Sequence, residues 1–123
     1  MFDDLPADEL AAASAQTAEA GLAAARLVAA KRLSAGPASG VGRPAALVTL
    51  LMARDQADPR WERLWPYEQA WSLLVLRIAA PVMDPVSAVA DARRRGVTWA
   101  GIAAGLGTSA QAAQQRFGSR LGP

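Results

Sequence analysis

Cysteine and histidine are both missing from the 123 residues of this chain. Their absence excludes disulfide frameworks, thiolate nucleophiles, the commonest zinc ligands and the one side chain that titrates near neutral pH. Acid–base chemistry would fall to carboxylates such as Asp55, Asp58, Glu62 and Glu68. Their positions suit helix caps and solvated faces better than a reacting pair, so the sequence reads as a non-enzyme with no metal and no cofactor. A membrane-length apolar run is lacking too. The longest apolar segment, AWSLLVLRIAAPVM (Ala70 to Met83), is too short to span a bilayer, is interrupted by Arg77 and stops around Pro81. It reads as a buried core helix. The start, MFDDLPADEL, has no basic region followed by an apolar run, so no secretory signal is expected and the chain is placed in the cytoplasm, away from membranes.

Lysine is nearly absent: Lys31 is the only one, and arginine supplies the rest of the formal charge of +2. Residues 1–83 carry nine acidic and eight basic side chains, whereas residues 84–123 carry two acids (Asp84, Asp91) and five arginines. The positive charge therefore gathers at the C-terminal end, a distribution that suits contact with a polyanion. About half the residues are apolar, enough at this length for one modest core.

What is present is helical punctuation. No stretch alternates apolar and polar residues as a half-buried strand would, so the fold class is all-α. Pro6 suits a first helical position and Asp8 and Glu9 follow in the first turn, where acidic groups complement the helix dipole. Alanine dominates up to Leu33, and SAGPASGVGRP (Ser34 to Pro44) then breaks the pattern. The expectation is a long N-terminal helix over 1–35, about 40 Å in length, followed by a Gly/Pro linker over 36–44. Leu10, Ser14, Thr17, Gly21, Ala24 and Val28 fall along one side of this helix and read as a self-association surface. The alternative is a helix that packs on its own domain.

Residues 45–83 are expected to hold central apolar helices, serving as core or as dimerisation region. AALVTLLMARDQ is apolar almost all round. Asp58-Pro59 is a cap followed by a first-turn proline, and Pro66 opens a helix in which Trp71, Leu74, Val75 and Ile78 follow i, i+3, i+4, i+7 spacing. Trp61, Trp65 and Trp71, set among leucines, read as core or subunit interface in preference to a platform for stacked bases. Asp84-Pro85 repeats the cap signal. Its helix ends in Arg93-Arg94-Arg95-Gly96, with positive charge at the dipole's negative end and a glycine suited to a left-handed stop.

The stretch GVTWAGIAAGLGTSAQAAQQRFG (Gly96 to Gly118) carries the most information. Thr98 can cap a helix with Trp99, Ile102, Ala103 and Leu106 on one face. Gly107 permits a positive φ, and Ser109 can cap a second helix, in which Ala113 and Phe117 face inward while Gln111 and Gln115 point the other way, flanked by Gln114. This stretch resembles a helix-turn-helix family, the short bacterial regulators and sigma-like modules, through Thr98, Trp99, Ile102, Leu106, Gly107, Ser109, Gln111, Ala112, Ala113, Arg116 and Phe117. The resemblance covers about twenty residues closely, and about 35 with the helix from Pro85 counted as the first of a trihelical unit over 84–123. It departs from the family at Gly101, where a glutamate would complete a capping box, at Ala110, where a basic residue is usual, and at Thr108, where an apolar one is.

The resemblance implies that the helix over 109–117 enters the major groove of double-stranded DNA. Gln111, Gln114 and Gln115 would then meet base edges, Ala110 a thymine methyl, and Thr98 and Ser109 phosphates. Arg93, Arg94, Arg95, Arg116 and Arg120 would add salt-sensitive attraction. On this reading the chain is a transcriptional regulator acting as a homodimer, nucleoid-associated within the cytoplasm. Two alternatives differ in kind. One is a helical assembly module that engages a protein partner through the N-terminal or Trp-rich helices, and the other an architectural protein coating DNA without sequence preference.

Overall fold

Twelve alanines from Ala7 to Ala30 favour one uninterrupted helix, and α1 (Ala7–Ser34) forms it in a computed structural model that describes residues 4–121. The outermost residues of the 1–35 and 84–123 segments lie outside that range. Pro6 stands one place before the helix, its carbonyl accepting from the Leu10 N–H at 2.9 Å. Six further α-helices follow among the described residues: α2 (Pro44–Ala53), α3 (Trp61–Leu64), α4 (Glu68–Ala79), α5 (Val86–Arg94), α6 (Trp99–Leu106) and α7 (Ala110–Phe117). A 3-10 turn (Trp65–Tyr67) joins α3 to α4, and another (Ser119–Leu121) follows α7. No strand occurs among the described residues, so the fold is all-α.

The α4 helix is the hub, packing against α1, α5 and α6, while α2 lies against α1 and α7 against α6. Its apolar sequence allows this. Trp71, Val75, Leu76 and Ala79 are all buried, and Leu74 and Ile78 are half-buried on the flanks. The lower half of α1 closes the core with Leu22, Ala25, Ala29, Ala30 and Leu33. Leu47, Leu50 and Leu51 come from α2, and Trp61 and Leu64 from α3. The apolar density of 45–83, which suggested a dimerisation region, is thus largely consumed inside one chain. The main exceptions are Trp65, 53 % exposed, and Val82, 79 % exposed.

The Gly/Pro segment is a packed turn. Ala38 is completely buried, and Arg63 Nη2 donates to the carbonyls of Pro37 and Ser39 at 3.1 and 3.0 Å. The aspartate–proline signals act just ahead of the helices they announce, which begin at Trp61 and Val86, not at Pro59 and Pro85, and Pro66 lies in the 3-10 turn before α4. Asp58 Oδ1 accepts from the Arg60 N–H (2.9 Å) ahead of α3, and Asp84 Oδ1 accepts from the Val86 N–H (3.2 Å) at the start of α5. No helix of the described residues is long and apolar enough to cross a membrane.

Candidate nucleic-acid interface

Local rules place α6 and α7 with respect to each other. The Thr98 hydroxyl oxygen accepts from the Gly101 N–H at 3.1 Å and starts α6. That helix stops at Gly107, whose φ of 71° lies in the left-handed region where a side chain would be strained. Ser109 Oγ then accepts from the Ala112 N–H at 3.1 Å and starts α7. With only three residues between the helices, the second must turn back on the first. Ile102, Ala103, Ala113 and Phe117 are buried between them, with Trp99 and Leu106 half-buried at the edge. What remains outward on α7 is Ala110, Gln111, Ala112, Gln114, Gln115 and Arg116, all exposed.

Gly101 and Gly105 have a packing context that the sequence did not disclose. A Cβ at Gly105 would lie 3.4 Å from Arg77 Cγ, and one at Gly101 would press on Val97 Cγ1 at 3.0 Å. At Gly105 this is ordinary contact with the stem of an α4 arginine, whereas at Gly101 the neighbour would have to give way.

The arginines behave differently from one another, and one expectation is corrected. Arg95 was grouped with the charges facing DNA, but its side chain is only 1 % exposed. Its Nε donates to Asp91 Oδ2 (2.9 Å), and Nη1 donates to Glu68 Oε2 and to the Leu51 carbonyl, both at 3.0 Å. Its guanidinium also lies 5.0 Å from the centre of the Trp71 ring. Arg95 is a joint between α2, α4 and α5, because a planar guanidinium alone offers enough donors in a fixed fork to meet three acceptors together. Glu68 in turn accepts from Arg54 Nε and Nη2 at 2.9 and 3.1 Å, and Arg54 closes α2 in a left-handed conformation at φ 49° with its N–H on the Leu50 carbonyl.

The other four arginines are exposed. Arg94 Nη2 pairs with Asp91 Oδ1 at 2.9 Å, and Arg120 Nη2 pairs with Asp84 Oδ2 at 2.7 Å. Arg93 Nη1 donates to the Val97 carbonyl at 3.0 Å and its guanidinium lies over Trp99, 4.9 Å from the ring centre. Arg116 lies over Phe117 at 4.6 Å. Arg93 and Arg116 thus make no ion pair among the described residues, and both flank the α6–α7 unit.

Two carboxyls feel these partners. Asp84 is held below the ordinary carboxylate range, first by the hydrogen bond from Arg120, which is raised in return. For Asp91 burial is the largest single influence and pushes the carboxyl up. The hydrogen bonds from Arg95 and Arg94, with their charges, together outweigh it and carry Asp91 down. The Asp91–Arg95 pair had a sequence signal, since opposite charges four apart on a helix face each other. Glu68 and the Leu51 carbonyl had none.

No group of three or more carboxylates among the described residues could hold a metal ion. Comparisons with protein-family models, curated proteins and solved structures return no match to this chain.

Proposed function

We propose that α5, α6 and α7 form a helix-turn-helix module that binds double-stranded DNA, with α7 in the major groove, as in a transcriptional regulator. The observation that carries this reading is the two-sidedness of α7. Ala113 and Phe117 anchor it from behind, while Gln111, Gln114 and Gln115 stand outward on a helix only eight residues long. Glutamine amides donate and accept together, which matches the N6/N7 edge of adenine, and Ala110 leaves room for a thymine methyl. Thr98 and Ser109 are exposed at the starts of α6 and α7, where hydroxyl and first-turn N–H groups would meet phosphates. Arg93 and Arg116 would supply unshared positive charge, and Arg94 and Arg120 would add to it by exchanging Asp91 and Asp84 for phosphate. Arg95 has no part in the contact.

A module with so few free charges binds weakly alone, and a dimer reading two half-sites supplies the missing affinity. The test is a mobility-shift assay on pooled genomic fragments across a salt series. Binding should weaken steeply with salt and be lost in Gln111→Ala/Gln115→Ala. Absence of a shift, or a shift the double variant leaves intact, overturns the reading. Removal of the shift by competitor DNA of any sequence would favour the architectural alternative.

A second reading, a protein-interaction module, is favoured by Trp65. Its exposed indole borders a groove of about 460 Å³ shared with Arg54, Gln56, Trp61, Glu62 and Glu68. It predicts a co-purifying protein and an absorbance ratio free of nucleic acid.

A further inference from the structure

Residues 7–20 of α1 are all exposed, bordered only by Val82, Met83 and the start of α5 near Ala13 to Glu19, so about 21 Å of helix has little support from the core. An isolated helix of that length is marginal in water. This one also presents Leu10, 54 % exposed. Further along, α1 is anchored through Leu22, Ala25, Ala29 and Leu33, yet its outward side keeps Val28 46 % exposed. At about 100° per residue Leu10, Ser14, Thr17, Ala24 and Val28 share one side of the helix, roughly a third of a turn from the anchored side. The Thr17 hydroxyl donates to the Ala13 carbonyl at 2.9 Å, which hides its polarity. Val82, 79 % exposed, and Met83 border this face and form with Leu10, Ala13, Ser14 and Thr17 a groove of about 450 Å³. Gly21 leaves room for the Met83 methyl group beside it.

We propose that a second copy of this chain covers this face, α1 against α1 and antiparallel, with Leu10 of one protomer opposite the partner's Val28. Three features select that arrangement. The bare half of each helix meets the outward side of the anchored half of the other, so each supports what the other leaves unsupported. In that register Ser14 faces the partner's Ala24, small against small, while at the centre Thr17 faces the partner's Gly21 across the Met83 methyl group that lies on it. Glu9 then flanks the seam on the same side as the partner's Lys31, and neither makes an ion pair within its own chain among the described residues. A parallel pair would set Glu9 beside the partner's Glu9 and align the two helix dipoles, both unfavourable. The contact is isologous, so it closes as a two-fold dimer and leaves no face for further growth.

This pairing deepens the dimeric form of the DNA reading, but it is tested without DNA, so either can fail alone. Sedimentation equilibrium of the full chain should give twice the monomer mass of 12.8 kDa. Leu10→Asp and Val28→Asp, both at exposed positions, should weaken dimerisation more than about tenfold while the tryptophan near-UV signal of the core stays unchanged. A chain without cysteine also permits a clean register test. Leu10→Cys mixed with Val28→Cys should cross-link between copies under oxidation, whereas Leu10→Cys alone should not. A monomer at all concentrations, a dimer that survives both aspartates, or Leu10→Cys linking to itself in preference to Val28→Cys overturns the proposal.

Discussion

The guanidinium of Arg95 is stacked 5.0 Å from the centre of the Trp71 ring while its Nη1 donates to Glu68 at 3.0 Å, one turn of α4 before that tryptophan. A single arginine at the end of α5 thus secures both the N-terminal turn of α4 and, through the Leu51 carbonyl, the end of α2. Truncating it leaves the poorly solvated Asp91 without its buried cationic partner and removes one of the two arginines that neutralise Glu68. Arg95→Ala should therefore cost about 3–5 kcal/mol, the range for breaking one side of a buried ion pair. Arg95→Lys should recover little of it, because a point charge cannot reach three acceptors set out for a fork. Arg93→Ala and Arg94→Ala, on exposed side chains, should each cost no more than about 1 kcal/mol. Thermal or urea unfolding of the four variants measures the contrast.

The two faces of α7 separate stability from the proposed DNA contact. Phe117→Ala empties a fully buried site and should cost about 3–5 kcal/mol. Gln111→Ala and Gln114→Ala sit at exposed positions and should change stability by no more than about 0.5 kcal/mol. On the DNA reading these glutamine variants lose sequence preference, while Arg116→Ala weakens binding on all sequences and lowers the salt slope by about one. Unfolding curves and salt-series titrations on the same preparations test both halves.

The parts of this architecture legible in the sequence are those fixed by neighbours. The span of α1 follows from its alanines and the Gly/Pro run after Ser34, and the Thr98, Gly107 and Ser109 signals mark the α6–α7 turn because caps and a left-handed stop involve atoms only a few residues apart. The candidate recognition residues on α7 were legible for the same reason, as outward positions of a short amphipathic helix. Arg95 was not. It follows two other arginines in the chain, and only contacts with Glu68 and Leu51, 27 and 44 residues away, distinguish it from them. Likewise nothing local separates Trp65, exposed, from Trp61 and Trp71, buried.

Glycines two apart in and after α6 should respond with opposite signs to the same substitution. Gly107 has φ 71° and no atom within 4 Å of an added Cβ, so the cost of Gly107→Ala is backbone strain alone, about 1–2 kcal/mol. Gly105 is helical, and an added Cβ would meet the flexible Arg77 stem at 3.4 Å, ordinary contact. Gly105→Ala should therefore be neutral or stabilising by up to about 1 kcal/mol through helix propensity. Chemical denaturation of the pair decides the matter. Equal destabilisation by both would mean that the α4–α6 approach is tighter than these contacts.

Acid sensitivity should appear at half-buried as well as buried carboxyls. Asp58 is lowered from 3.8 to about 2, chiefly by the side-chain hydrogen bonds from Arg60 Nε and Nη2 (3.0 and 2.7 Å) and next by the Arg60 backbone N–H. A carboxyl depressed by folding contributes stability above its unfolded value, and that contribution drains away as the pH falls from about 4 toward 2. Arg60→Gln should raise the Asp58 midpoint toward 3.8, read by NMR of its side-chain carbonyl carbon. Added salt should raise it only a little in the parent chain, since screening acts on the Coulomb part of the Asp58–Arg60 pair, the smallest of its causes. The same salt should move Asp91 less still, because Asp91 is buried against Arg95. A midpoint for Asp58 near 3.8 in the unmodified chain would mean that the Arg60 fork does not hold in solution.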